Sequence, residues 1–400
     1  MKPRALLLEN IHPDAVVLLE ATGYEVELLT AALGEDELVA RIGDVELLGL
    51  RSTTRLTERA VAAAPRLRAV GAFCIGTNQV DLVAATRAGI AVFNAPFSNT
   101  RSVVELAIGE IVSLTRRLTD KNTAMHAGVW DKSATGSHEI RGRKLGIVGY
   151  GNIGTQLSVL AEAMGMSVFF YDTADRLALG NARRCGTLEE LLETVDIVSL
   201  HVDGRPTNNL IFGEAQLAHM RPGSLFLNLS RGFVLDQAAL RRHLESGHLA
   251  GAAIDVFPTE PKSREEEFVS ELRGLPNVIL TPHVGGSTEE AQQDIGNFVA
   301  GKLRTFAVDG DTSLSVNLPP VSLPRQEGCC RLLLLHRNVP GVLGAVNALL
   351  ADHGVNVEAE LLSTRGEVGY VVVDVSAAIG PDVVAALEAL PATLRLQVVG

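Results

Sequence analysis

The stretch KLGIVGYGNIGTQLSVLAEAMGMSVFFYD, Lys144 to Asp172, decides the fold. It reads as an apolar run, a glycine turn, a helical pattern and a second apolar run that closes on Asp172. Gly149, Gly151 and Gly154 fit G-x-G-x-x-G. In that spacing the turn is too tight for side chains, and the free amides of the following helix face a pyrophosphate. Glycine-rich turns also arise for structural reasons, so the context matters. Here Leu145 to Val148 precede the turn, Asn152 and Ile153 open the helix, and Ile153, Leu157, Leu160 and Ala163 recur at helical spacing. Asp172 lies 18 residues beyond Gly154. At the end of the second strand its carboxylate can accept hydrogen bonds from a ribose 2′-OH and would repel a 2′-phosphate, so the expected cofactor is NAD rather than NADP.

The motif sits in the middle of a chain of 400 residues, a length that suggests two or three domains. With 46% hydrophobic and 20% charged residues, the chain can fill their cores. A formal charge of −12 argues against a nucleic-acid or anionic-membrane surface, either of which favours a basic patch. The opening MKPRALLLENIHPDAV lacks the layout of a signal peptide, and no stretch approaches the ~18 apolar residues of a membrane span. A cytoplasmic protein is the expectation. Cys74, Cys185, Cys329 and Cys330 show no metal-type spacing, and the adjacent pair is badly placed for an unstrained disulfide. Free thiols and no metal are expected.

Upstream of the motif, strand-like and helical runs alternate from Arg4 to about Phe97: ALLLEN, PDAVVLLEATG, YEVELL, VELLGLRS, a helix through Ala60 to Ala64, RLRAVGAF and IAVFNAP. This alternation implies a parallel sheet of βα units with ligands beyond the strands' carboxyl ends. Arg51-Ser52 and Cys74-Ile75-Gly76-Thr77-Asn78 are informative loops of that kind. After Ser98 comes a long amphipathic pattern (Val103, Leu106, Ile108, Ile111, Leu114), with Ser102 or Thr100 as its N-cap. Downstream the alternation resumes through DIVSLHV, SLFLNLS, GAAIDVF and NVILTPHV. STEEAQQDIGNFVAGKLRTFAVDG then reads as a helix capped by Ser287 or Thr288. The Pro- and Ser-rich residues 312 to 328 read as a linker, and RLLLLHR to LRLQVVG follows the order βαββαβ of a ferredoxin-like unit.

Hydride exchange with a nicotinamide needs a proton-exchanging partner, and histidine suits that near neutral pH. Of ten histidines, His283 stands out: it ends NVILTP and precedes Gly285-Gly286, where backbone can approach a cofactor. A histidine that merely caps a strand end is the plain alternative. Glu260, 23 residues earlier in FPTEP, could reach it, and Arg231 in LSRG offers a planar fork for a carboxylate. Taken singly each could be a surface ion-pair residue. Each closes a different strand of one lobe, which makes them a candidate site.

The set GYGNIG, YD, SRG, DVFPTEP and TPHVGGST resembles the D-isomer-specific 2-hydroxyacid dehydrogenases, from the first strand to the C-terminus. The resemblance implies two doubly wound parallel-sheet (Rossmann-like) α/β lobes plus a C-terminal ferredoxin-like ACT domain. The implied boundaries are 1–98 with 288–318 for a substrate-binding domain, 99–287 for an NAD-binding domain, 319–328 for a linker and 329–400 for the ACT domain. It implies that Arg231 orients the substrate carboxylate and carbonyl, that His283 is the acid/base and that Glu260 pairs with it. Asp255 would face the nicotinamide carboxamide, and Gly285 and His201 complete the cofactor set. The Ile75-Gly76-Thr77 backbone would receive the substrate carboxylate, with Arg51, Ser52, Asn99 and Gln292 around a substrate phosphate.

The implied activity, with FCIGTNQVDL and NAPFSNTRSV included, is NAD-dependent oxidation of 3-phosphoglycerate at C2 at the start of serine synthesis. Other readings are a dehydrogenase of another 2-hydroxy acid such as 2-hydroxyglutarate, or an NAD-sensing binding protein. HRNVPGVLGAVNALLADHGVN resembles the first strand, ligand loop and helix of an ACT domain. By that likeness His336, Asn338 and Asn356 would bind an amino-acid effector, L-serine, between two such domains in a homotetramer. Plainer roles are a turn residue for Asn356 and a helix cap for Asn338. The chain departs from the family's pattern at Glu327-Gly328-Cys329-Cys330, where a single glycine replaces a Gly-Gly pair. A less permissive hinge would weaken the effector signal.

Overall fold

The computed structural model describes every residue except Met1, residues 262–264, Ala377 and Gly400. The chain divides into two compact units, one of residues 1–98 with 292–400 and the other of residues 99–291.

The first unit begins with β1 (Arg4–Leu7), α1 (Pro13–Glu20), β2 (Glu25–Leu28), α2 (Glu35–Arg41), β3 (Val45–Leu50), α3 (Glu58–Ala62), β4 (Ala69–Ala72), α4 (Leu82–Arg87) and β5 (Ala91–Asn94). The strands form a parallel sheet in the order β2-β1-β3-β4-β5. Alternate residues serve opposite faces: Leu6, Leu48, Val70 and Val92 enter one core, and Ala5, Leu7, Leu47 and Phe93 the other. Because both faces are buried, the strands are apolar almost throughout and the period-two pattern is blunted.

The second unit opens with α5 (Thr100–Arg116) and α6 (Leu118–His126). A doubly wound run follows: β6 (Lys144–Val148), α7 (Asn152–Ala163), β7 (Ser167–Tyr171), β8 (Arg183–Arg184), α8 (Leu188–Thr194), β9 (Ile197–Leu200), α9 (Glu214–His219), β10 (Ser224–Asn228), α10 (Gln237–Glu245), β11 (Leu249–Ile254) and β12 (Val278–Leu280). Its parallel sheet has the order β12-β11-β10-β9-β6-β7-β8, with the chain reversing direction at β6. That is a topological switch point, where such sheets bind ligands. The cap of α5 differs from expectation. The helix starts at Thr100 itself, with Asn99 in the N-cap position, and Ser102 Oγ pairs instead with Thr288 Oγ1 at 2.8 Å.

Next comes α11 (Glu289–Asp309), where Thr288 rather than Ser287 caps the start through the Ala291 N–H at 3.2 Å. Residues 312–323 lack regular structure yet are packed. Asn317 accepts from the Val92 N–H at 2.9 Å and donates to Ile90 O at 2.9 Å, so it replaces a strand partner at the edge of β5. The segment behaves as a covering strap where a linker was expected. Its polar side chains satisfy backbone groups that would otherwise be orphaned.

The last part folds as β13 (Cys330–Arg337), α12 (Val342–Asp352), β14 (Val357–Arg365), β15 (Val368–Val375), α13 (Pro381–Glu388) and β16 (Thr393–Val399). The antiparallel sheet has the order β14-β15-β13-β16. Leu332, Leu334, Val371 and Val373 face α12 and α13, whereas Leu333, Leu335, Tyr370 and Val372 join Phe93, Phe306 and Leu318 in the first unit's core. At roughly 1.5–3 kcal/mol for each large apolar side chain, that second face is a firm seat. Arg331, just past Gly328, is wholly buried with Asp374 and makes a bidentate pair at 2.6 and 2.7 Å. Its remaining N–H groups donate to the carbonyls of Asp309, Leu323 and Pro324. All four cysteines are free thiols.

Candidate active site

Three loops at the carboxyl ends of β10, β11 and β12 meet in the second unit. The loop after β10 is braced from within: Asn228 Oδ1 accepts from the Ser230 N–H and hydroxyl, and Asn228 Nδ2 donates to Arg231 O at 3.0 Å. A Cβ on Gly232 would lie 2.0 Å from the Phe257 carbonyl carbon, so only glycine lets this loop touch the one after β11. The contact brings the Arg231 loop beside the Glu260 loop.

Glu260 Oε1 accepts the Phe257 N–H at 3.1 Å, which orients its carboxylate toward His283. His283 Nδ1 lies 2.9 Å from Oε2 and 3.1 Å from Oε1. A carboxylate can only accept, so Nδ1 carries the proton and Nε2 is left for chemistry. His283 adopts φ 53°, a left-handed conformation unusual for a non-glycine residue. The Glu260 hydrogen bond and charge, joined by Asp255, hold the His283 pKa above its ordinary value against the opposing effects of burial and Arg231. For Glu260, burial pushes the carboxyl up, but the His283 and Phe257 hydrogen bonds and the nearby Arg231 bring it below the usual carboxylate range.

The glycine turn has the shape a dinucleotide needs. Gly149 has φ 91°, and a Cβ there would lie 2.5 Å from His201 O; one on Gly154 would lie 2.3 Å from Gly149 O. At Gly151, the N-cap of α7, a Cβ would meet no atom within 4 Å. Asn152 and Ile153 follow as the first residues of α7, where helix amides have no intrahelical acceptor. Asp172 Oδ2 accepts the Tyr150 N–H at 2.8 Å, which places the carboxylate at the lip of the turn.

Asp255 is buried and takes Thr281 Oγ1, the Val284 N–H and the Gly285 N–H at 2.6, 2.8 and 2.9 Å. His201 is half-buried, with Nε2 on Ser199 Oγ at 2.8 Å and a buried Nδ1 that lacks a protein partner. Burial lowers its pKa to about 4, so it is neutral. An open cradle at a helix N-terminus, a carboxylate at its lip and an orphaned ring nitrogen suit a dinucleotide with free ribose hydroxyls.

The remaining candidates lie in both units. Asn99 stands at the start of α5, close to Gly286, and its buried Oδ1 has no protein partner. In the first unit, Arg51 and Ser52 follow β3, Gly76 follows β4, and Gln292 lies in the first turn of α11. In the C-terminal part, His336 is buried in β13 with Nδ1 2.8 Å from Arg337 O. Asn338 and Asn356 are exposed and donate to Gly366 O and Glu358 Oε1. The cap of α12 is Gly341, at φ 89°, and not Asn338.

Sequence reading passed over Glu110. It lies on the inner face of α5 with Val103, Ala107 and Leu114, 4% exposed, and neither carboxylate oxygen has a partner. Burial first, and then the charge of Asp255, raise its pKa to about 8. The available signal was an acid on an otherwise apolar helix face.

Residues 108–285 match the family model of the D-isomer-specific 2-hydroxyacid dehydrogenase NAD-binding domain, and residues 332–395 match an acetohydroxyacid synthase small-subunit-like ACT domain. A D-3-phosphoglycerate dehydrogenase of Haemophilus influenzae is 51% identical over 99% of this chain and 97% of its own. One of Dictyostelium discoideum is 48% identical over the same shares. The chain belongs to the D-isomer-specific 2-hydroxyacid dehydrogenases.

Solved members of this dehydrogenase family share the fold. D-2-hydroxyisocaproate dehydrogenase superposes with a TM-score of 0.71 at 26% identity, covering 78% of this chain and 99% of that one. A D-lactate dehydrogenase of Aquifex aeolicus, complexed with NAD and lactic acid, gives 0.66 at 26% identity over 76% of this chain and 95% of its own. The chain is thus an NAD-dependent dehydrogenase of the family, with two Rossmann-like sheets and an ACT domain. Among the described residues no helix is long and apolar enough to cross a membrane, and no cluster of three or more metal-ligating side chains occurs.

Proposed function

We propose that the chain oxidises 3-phospho-D-glycerate at C2 to 3-phosphohydroxypyruvate, the first step of L-serine synthesis, under feedback by L-serine at its ACT domain. The reading rests on the His283–Glu260 pair beside the Arg231 loop, in a chain about half identical to full-length relatives that carry this enzyme's name. Neutral His283 presents unprotonated Nε2 and takes the proton of the C2 hydroxyl. Glu260 stabilises the imidazolium that results and holds the ring in one tautomer. Arg231 binds the carboxylate and the developing carbonyl oxygen through its planar fork. Bound NAD supplies the hydride acceptor.

The α7 amides hold its pyrophosphate, Asp172 its ribose hydroxyls, and Asp255 and Gly285 its carboxamide end, with His201 flanking the glycine turn. The phosphate of the substrate is assigned to Arg51, Ser52, Asn99 and Gln292, and its carboxylate to the Ile75-Gly76-Thr77 backbone. On this reading residues 1–98 with 288–318 form the substrate-binding domain, and residues 99–287 the cofactor domain. His336, Asn338 and Asn356 are assigned to the effector at an interface between ACT domains of a homotetramer.

The test is NAD reduction with 3-phospho-D-glycerate and with D-2-hydroxyglutarate, while L-serine is titrated. Turnover of the phosphorylated acid that serine suppresses is expected. Equal efficiency with 2-hydroxyglutarate removes the phosphate assignment, and indifference to serine removes the effector assignment. Binding of NADH without any turnover removes the enzyme reading in favour of an NAD sensor.

A further inference from the structure

The peptide of Arg51 is held from both sides. Glu9, just past β1, accepts three backbone N–H groups of the loop after β3: Arg51 at 3.2 Å and Thr54 at 2.8 Å on Oε1, and Thr53 at 3.0 Å on Oε2. Glu9 and Asn10 sit at φ 62° and 54°, and this pair of left-handed residues turns the carboxylate toward the loop. On the other side stands Gln79, buried below the loop that follows β4. Its Nε2 lies 2.6 Å from Arg51 O and 3.2 Å from Gly76 O, with Cys74 Sγ also at 3.2 Å. Its main-chain carbonyl takes the Leu56 N–H at 2.8 Å, which anchors the base of the side chain. The two loops leave neighbouring strands, with Leu50 paired to Ala72. One amide therefore bridges the carbonyls of both.

We infer that Gln79 is a specificity-setting positioning residue: its bridge between Arg51 O and Gly76 O fixes the separation of the two loops that receive the substrate's phosphate and carboxylate. The inference rests on the substrate assignments proposed above. With Glu9 occupying the amides on the far side, the Arg51 loop cannot slide toward or away from the Gly76 loop. The pair of anion sites then acts as a ruler that favours an acid whose two anions are spaced as in a phosphorylated three-carbon chain. A five-carbon dicarboxylic 2-oxo acid fits it poorly. Two-point recognition of this kind gains its discrimination from preorganisation, because a mobile loop could follow either ligand.

The experiment measures kcat and KM for 3-phosphohydroxypyruvate and 2-oxoglutarate, with NADH affinity by fluorescence and melting temperature, in the full chain and in Gln79→Met. Methionine keeps the volume and removes both donated hydrogen bonds. The expected result is a KM for the phosphorylated acid raised about 10–100-fold with kcat within about threefold, a narrowed preference over 2-oxoglutarate, and unchanged NADH affinity. Gln79→Asn, whose shorter amide cannot span both carbonyls, gives the same pattern and serves if the methionine variant fails to fold. A folded variant that retains the parent's preference between the two acids overturns the inference. Arg51→Gln separates the two levels. If it leaves the KM for the phosphorylated acid unchanged, the substrate assignment itself fails. If it raises that KM while the Gln79 variants do not, the ruler alone fails.

Discussion

His283 Nδ1 sits 2.9 Å from Glu260 Oε2 and 3.1 Å from Oε1, so one ring N–H is shared by both oxygens of a carboxylate. The pair is half open, with side-chain exposures of 49% and 38%, and its role is to set a protonation state more than to stabilise the fold. In the oxidising direction the ring must start neutral, so the rate rises with pH through the His283 pKa. Glu260 holds that pKa up. Glu260→Gln lowers it, and the rising limb of kcat/KM moves to lower pH. A limb that stays in place contradicts the coupling.

His283→Ala removes the proton acceptor without touching the glycine turn. Turnover falls by roughly 10²–10⁴-fold or more, the range for loss of a general acid/base. NADH affinity, read from its fluorescence, stays near that of the parent. A folded variant that no longer binds NADH would place His283 in cofactor binding instead.

Glu110 makes stability depend on pH. Its pKa is raised from 4.5 to about 8, so between those values the native state keeps a proton that the unfolded chain has lost, and stability falls as pH rises. The expected slope from this group is about 1.4 kcal/mol per pH unit, levelling off above about pH 8. Urea unfolding of Glu110→Gln against the parent at several pH values checks it: the difference must shift toward the variant as pH climbs. A difference that is constant across that range contradicts a buried neutral acid.

Arg331 and Asp374 are both fully buried. Removing one charge strands the other, at a cost of about 3–5 kcal/mol, whereas replacing both with apolar residues of similar volume costs little. Arg331→Met is therefore expected to loosen the C-terminal sheet, seen as faster amide exchange in β13 and β15. Arg331→Met with Asp374→Leu restores most of the protection. Equal exchange in parent and single variant would show that the strap and the apolar seat suffice without the ion pair.

The glycine turn was legible because three constraints on one backbone leave a fixed spacing: the left-handed Gly149, the open Gly151 and the close-packed Gly154. Strand ends were legible too, since apolar runs stop where the chain leaves the sheet, and Arg231, Glu260 and His283 each stand just past such a run. Residues 312–323 were not, because irregular backbone carries no period, and Asn317 looks the same in a solvated tether as in a buried mimic of a strand partner. Glu9, Gln79 and Glu110 escaped for a related reason. Their roles depend on backbone groups or burial contributed by distant segments, which neighbouring residues do not encode.

The measurement closest to the central claim is kcat/KM for NADH-dependent reduction of 3-phosphohydroxypyruvate set against that of hydroxypyruvate, the same acid without its phosphate. The account predicts a preference of at least about a hundredfold for the phosphorylated acid, since a site built to bind a charged group rejects an analogue that lacks it. Equal values for the two would contradict it.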